Sequence, residues 1–107
     1  MKSRSLVVAG LGLMLTGPLL AQSPEAGMEL AKKNNCLACH GMANKLVGPS
    51  WQDIAKKYAG DAEAEAKLVT KVRKGGKGVW GEVPMPPNVT VKEADVRTLV
   101  RFVLAVK

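Results

Sequence analysis

Cys36-Leu37-Ala38-Cys39-His40 decides how this chain is read. Two thiols stand three positions apart, and an imidazole follows the second at once. The chain holds two cysteines and one histidine, and all three fall in these five residues. Rival chemistries for a Cys-x-x-Cys pair lack partners. A structural zinc ion takes four side chains, where this chain offers two Cys and one His. A thioredoxin-like pair belongs in a βαβ setting, and no segment alternates with period two over a useful length. Cys-x-x-Cys-His is the attachment signature of a c-type haem. Cys36 and Cys39 can each bond one vinyl-derived carbon of a porphyrin, and His40 can then reach the iron beneath the ring.

The residues before the motif divide in two. Lys2 and Arg4 form a positive start, Leu6 to Leu15 is almost unbroken apolar sequence, and Gly17-Pro18 interrupts it ahead of Leu20-Ala21. This pattern is a secretory signal peptide over residues 1–21, cleaved near Ala21, and its apolar core is short for a membrane span. The competing reading is a retained N-terminal anchor. Residues 22–107 then form one exported domain holding a single haem. So small a domain is marginal without a staple. Its aromatics are Trp51, Tyr58, Trp80 and Phe102, and a large apolar cofactor would supply the missing core. The whole chain carries +7, and loss of Lys2 and Arg4 leaves +5. An exported chain with no long basic run does not read as a nucleic-acid binder, so the charge points to an acidic protein partner.

Four helices are expected. Ser23-Pro24-Glu25 opens the first, with a capping hydroxyl, Pro at the first helical position and an acid near the positive dipole end. It should end near Asn34-Asn35 with the cysteines on its last turn. After a loop over 41–49, Ser50 opens a second helix carrying Trp51, Ile54, Ala55 and Tyr58, which Gly60 ends. Asp61 should cap a third helix, whose last turn holds Lys71, Arg73 and Lys74 and which Gly75-Gly76 stops. Residues 75–89 are too rich in Gly and Pro for a regular element, and a loop this long in a small domain is usually functional. Thr90-Val91-Lys92-Glu93 reads as a capping box. The final helix should bury Ala94, Val96, Leu99, Val100, Val103 and Val106, with Phe102 alongside. No significant sheet is expected.

An iron held by His40 needs a second ligand or keeps an open position, and there is no second His. Of the methionines after the leader, Met42 follows His40 too closely to reach the other ring face, and Met28 lies at core spacing on the first helix. Met85 stands in Val83-Pro84-Met85-Pro86-Pro87-Asn88, where the prolines fix φ and remove backbone donors. A thioether ligand favours ferrous iron and raises the potential. With both axial positions filled, the protein should shuttle single electrons and perform no bond chemistry.

With these residues in view, the chain resembles the class I c-type cytochromes, specifically the small cytochrome c-551 type of bacterial periplasms. The resemblance rests on the Cys36–His40 motif, on Val47-Gly48-Pro49 followed by an aromatic and Asp53, and on Gly78-Val79-Trp80-Gly81 leading to Val83-Pro84-Met85-Pro86-Pro87-Asn88. It implies an all-α fold of about four helices wrapped around one covalently attached haem c, ligated by His40 and Met85. It also implies that the Pro49 carbonyl accepts from His40 Nδ1, that Trp80 bonds a haem propionate, and that Asn88 bonds near the Met85 sulfur. One departure stands out. The first helix has Leu30-Ala31 where relatives often carry a bulky aromatic, so looser packing between the terminal helices is expected.

The leading function is therefore a soluble, monomeric periplasmic electron carrier and not an enzyme. By family analogy alone its donor is a quinol-oxidising complex and its acceptor a nitrite reductase or terminal oxidase. Lys45 and Lys77, near the haem rim, are expected to steer an acidic partner face. Two other classes stay open: a gas- or peroxide-binding haem protein with a labile Met ligand, and a thiol or metal protein with no haem.

Overall fold

The computed structural model describes residues 23–107. The leader over residues 1–21 and its cleavage point lie outside the described residues. Helix α1 spans Pro24–Lys33, α2 Trp51–Lys57, α3 Ala64–Lys74 and α4 Glu93–Leu104, with a 3-10 turn over Cys36–Ala38. Among the described residues pairing is confined to two isolated bridges, His40 with Lys45 and Gly76 with Met85. The fold is all-α, with the four helices expected. No helix among the described residues is long and apolar enough to cross a membrane.

Two helix starts follow the local chemistry read from sequence. The Ser23 hydroxyl accepts from the Ala26 N–H at 3.1 Å, with Pro24 at the first helical position. The Ser50 hydroxyl accepts from the Asp53 N–H at 3.1 Å, and Ser50 is fully buried. Each satisfies an amide that the first helical turn leaves without a partner.

Other boundaries differ from expectation. Asn34 caps α1, its Nδ2 donating to the Leu30 carbonyl at 2.8 Å, and Asn35 takes a left-handed φ of 60°. Asn tolerates that conformation better than most residues, and it breaks the helix before the cysteines. Cys36 therefore starts its own 3-10 turn and is not on the last turn of α1. Asp61 does not cap α3. Its carboxylate accepts from the Glu63 N–H at 2.8 Å and from Lys67 at 2.9 Å, one turn early, and Glu63 holds the cap position without a side-chain bond. The capping box at Thr90 is absent too. Lys92 is the cap residue and Glu93 the first helical one, while the Glu93 carboxylate is taken by Arg73 at 2.7 Å and Arg97 at 2.8 Å.

Helix α4 is the hub on which α1, α2 and α3 pack. Its buried stripe is Val96, Leu99 and Val100, with Val103 half-buried; Ala94, expected inside, is exposed. Leu99 joins Ala31, Trp51 and Ile54 in one core cluster, while Val96 and Val100 join Val69 of α3 in a second. The terminal helices are not loosely packed. Gly27 and Ala31 are both buried, and a Cβ on Gly27 would overlap Phe102 Cβ and Cγ and stand 2.8 Å from its Cδ1. Small residues on α1 let α4 close in, and Phe102 then meets Trp51 edge-on, ring centroids 5.5 Å apart. On the exposed side Glu65 accepts from Arg101 at 2.7 and 3.2 Å, tying α3 to α4.

Candidate cofactor site

The helices leave an apolar cleft between the 3-10 turn, the 41–49 loop, α2 and the 75–89 segment. Its empty volume is about 1110 Å³ with the open mouth included, and Ile54, Leu68, Leu99 and Val103 are among the side chains that line it. Cys36, Cys39, His40, Pro49, Trp80 and Met85 all line the same cleft.

Turn geometry sets the first three. The amides of Cys39 and His40 both donate to the Cys36 carbonyl, at 3.2 and 3.0 Å. Both thiols are half-buried and unpaired. Burial pushes the Cys36 thiol above its ordinary value, and its neighbour Cys39 adds to the rise while a backbone hydrogen bond opposes it. A thiol-exchange cysteine needs the reverse, a thiolate favoured near neutral pH. Cys36 is thus poorly suited to start thiol exchange, and both thiols are well placed for bonding to a group inside the cleft.

His40 is fixed from three sides. Its Nδ1 lies 2.7 Å from the Pro49 carbonyl oxygen. A carbonyl can only accept, so Nδ1 carries the proton and Nε2 of the neutral ring keeps its lone pair. The Gly48 N–H donates to the Cys39 carbonyl at 2.8 Å, and a Cβ on Gly48 would stand only 3.0 Å from His40 Cε1. Trp51 stacks on the ring, centroids 6.2 Å apart and planes 20° from parallel. Such a partner for the second nitrogen orients an iron-ligating imidazole and raises its basicity.

Met85 arrives from the irregular segment. It exchanges both backbone hydrogen bonds with Gly76, at 2.8 and 3.0 Å, and its side chain reaches the cleft half-buried. Gly75 makes this possible. Its φ of 71° and ψ of −168° end α3 in a region that is essentially glycine's, and the Met85 carbonyl occupies the space where a Cβ would be. Met28 packs against the α1 core cluster instead, and Met42 is exposed; neither lines the cleft.

Asn88 stands outside the cleft wall. Its backbone N–H and its Nδ2 donate to the Val72 carbonyl at 3.0 and 3.2 Å, and Nδ2 also reaches the Pro86 carbonyl at 3.4 Å. It ties the methionine segment to the last turns of α3. Trp80 lines the mouth with 43 % of its surface exposed. Lys45 is exposed and lies outside the wall. Lys77 lines the rim and faces Glu82 at 3.6 Å, both side chains largely exposed.

Two residues escaped the sequence reading. Lys71, a helix-end charge by sequence position, lines the cleft, and its Nζ sits 2.9 Å from where a Gly76 Cβ would be. Its spacing of three from Leu68 placed it on the same helix face and was the available signal. Lys57 lies over the Trp80 ring at 5.6 Å; no local pattern links residues so far apart in the chain.

The donor set fits a covalently held haem: two unpaired thiols and a tautomer-locked imidazole on one apolar cleft, with a thioether in its wall. Comparison with known proteins agrees. The Cytochrome c family profile matches residues 24–107. Cytochrome c-552 of Nitrosomonas europaea is 48% identical over 89 residues, covering 83% of this chain and 86% of that one. Cytochrome c-551 of Pseudomonas aeruginosa is 46% identical over 99 residues, covering 91% and 94%. The crystal structure of wild-type Nitrosomonas europaea cytochrome c552 superposes with a TM-score of 0.72 at 50% identity, over 75% of this chain and 99% of that one.

Proposed function

Because the chain belongs to the cytochrome c family, we propose that it is an exported, periplasmic single-electron carrier whose iron is held between His40 and Met85. The chain has the small cytochrome c fold, carries one covalently attached haem c and acts as an electron carrier. When bound, the haem supplies one iron-centred electron at a potential raised by thioether ligation.

The protein's residues divide the remaining work. Cys36 and Cys39 anchor the porphyrin, His40 presents Nε2 while Pro49 holds Nδ1, and Met85 presents its sulfur from the proline segment. Leu68, Leu99 and Val103 keep water from the buried part of the cleft. Asn88 holds the Met85 segment to α3, and Trp80 offers an indole N–H at the mouth for a haem carboxylate. The observation that carries this reading is that Met85 shares the cleft with His40 while Met28 and Met42 do not. A labile ligand, as a gas- or peroxide-binding protein needs, is disfavoured by the two-way Gly76 pairing that pins Met85.

Residues 1–21 are proposed as the cleaved leader, and the donor and acceptor as a quinol-oxidising complex and a nitrite reductase or terminal oxidase. Val47, Val79, Trp80 and Val83 are exposed around the mouth, and Glu82 offsets Lys77, so a partner would meet a mainly apolar rim. The test is a redox titration of the purified holoprotein under argon and under carbon monoxide. A reversible one-electron, low-spin transition that carbon monoxide leaves unmoved supports the carrier. A high-spin iron that binds carbon monoxide contradicts it.

A further inference from the structure

The segment 76–85 is closed on itself. Gly76 and Met85 exchange hydrogen bonds at its base, the Gly78 N–H donates to the Gly81 carbonyl at 2.8 Å, and Lys77 faces Glu82 at 3.6 Å. Each contact joins one arm of the segment to the other. The tip is open around its turn: a Cβ on Gly78 or Gly81 would meet nothing within 4 Å. Toward the helices, residues 77–84 make a single polar or ring contact among the described residues. It is the Lys57 ammonium, 5.6 Å from the Trp80 ring centroid.

Lys57 is well placed to hold something. It stands in the last turn of α2, whose Trp51 and Ile54 are fixed in the core, so its backbone is rigid while its side chain is exposed. A cation over the face of an indole is attracted by the ring quadrupole. The same ammonium lies 5.9 Å from the Tyr58 ring, so it has an aromatic partner at the end of its own helix as well as Trp80.

We propose that Lys57 is a positioning residue, a latch that holds the Trp80 flap, and with it the arm bearing Met85, against α2 at the mouth of the haem cleft. When the latch lets go, the flap frays from its tip to its base, breaking the Gly78–Gly81 and Gly76–Met85 hydrogen bonds that the closed flap holds, and Lys57 sets how often. Through Trp80, Lys57 governs the exposure of the cleft mouth and the steadiness of Met85 without touching the cofactor. The proposal shares with the proposed function only the premise that this cleft holds the haem.

The test is native-state hydrogen exchange on the ferrous holoprotein, read at the Gly78 and Met85 amides. Lys57→Gln, which keeps a polar side chain and removes the charge, should speed both about two- to fivefold, the range an exposed cation–π contact supports. The Val100 amide in the α4 core should not change. Lys57→Arg should restore the wild-type rates, and Lys56→Gln, which removes a charge from the same helix end, should leave the flap alone. Unchanged flap exchange in Lys57→Gln overturns the latch. So does equal acceleration in Lys56→Gln, which would assign the effect to the helix end, and so does failure of Arg to restore. The thioether absorption band, recorded on the oxidised form of each sample, reports on Met85 ligation separately. Its absence in the wild type would refute the ligand assignment and leave the exchange comparison intact.

Discussion

Replacing Gly75 with Ala should strike fold and site together. Gly75 has φ 71° and ψ −168°, and a residue with a Cβ held there costs about 1–3 kcal/mol in backbone strain. The new methyl would also overlap the Met85 carbonyl oxygen and lie 2.9 Å from Pro87 N and 3.0 Å from the Pro86 carbonyl carbon. All three are backbone atoms of a proline-stiffened segment, so none can rotate aside as a side chain would. Overpacking of that kind adds about 1–3 kcal/mol. Even a total of about 2 kcal/mol lowers Tm by roughly 8–16 °C in a domain of this size. Part of the strain should be relieved by displacing Met85, so the thioether-to-ferric absorption band at the red end should weaken. Gly78→Ala is the control, because φ is 107° there but nothing lies within 4 Å of the added carbon; it should destabilise less and leave the band whole. The assay is a thermal melt by far-UV circular dichroism on the ferric holoprotein, beside the absorption spectrum. A Gly75→Ala variant that melts within about 3 °C of wild type, less than 1 kcal/mol, and keeps its full band would refute the reasoning.

The remaining predictions address packing, charge and the cofactor. Gly27→Ala places a methyl inside the Phe102 side chain and should cost about 1–3 kcal/mol by denaturant melt; an unchanged midpoint would mean that α1 and α4 part easily. Glu65 is held below its ordinary value, chiefly by its hydrogen bond from Arg101; burial opposes this, and the Arg101 and Arg97 charges add to the lowering. Its contribution is therefore fully present above the unfolded-state value and lost as pH falls through the lower folded value. Glu65→Gln should flatten the acid limb of a Tm–pH curve, and an identical limb would show that the exposed pair contributes nothing. Cys36→Ser with Cys39→Ser should yield haem-free protein without a cooperative fold, since the cofactor fills the cleft at the centre of a small core. A sharp, helix-rich melting transition in that variant would contradict the view.

Much of the site was legible because its chemistry is compressed into short stretches. Five residues carry the attachment signature, Ser23-Pro24 and Ser50 announce their helices locally, and three prolines mark Met85 as held. The errors arose where distant groups compete. Glu93 has the spacing of a capping-box acid, but Arg73, twenty positions away, takes its carboxylate. Leu30-Ala31 read as loose packing because the sequence does not show Phe102 filling the space beside Gly27. Asn34-Asn35 marks a helix end, but the left-handed φ of Asn35, which separates the cysteines from α1, has no signature in the periodicity. Folding of the flap sets Lys77 against Glu82 and Trp80 beneath Lys57, contacts that no local pattern announces.

Ligation of the iron by Met85 is tested by the ferric absorption spectrum and midpoint potential of Met85→Ala beside Met28→Ala. Met85→Ala should lose the thioether band and drop in potential, while Met28→Ala should keep both. Survival of the band and potential in Met85→Ala would contradict the account, and their loss in Met28→Ala instead would move the ligand to α1.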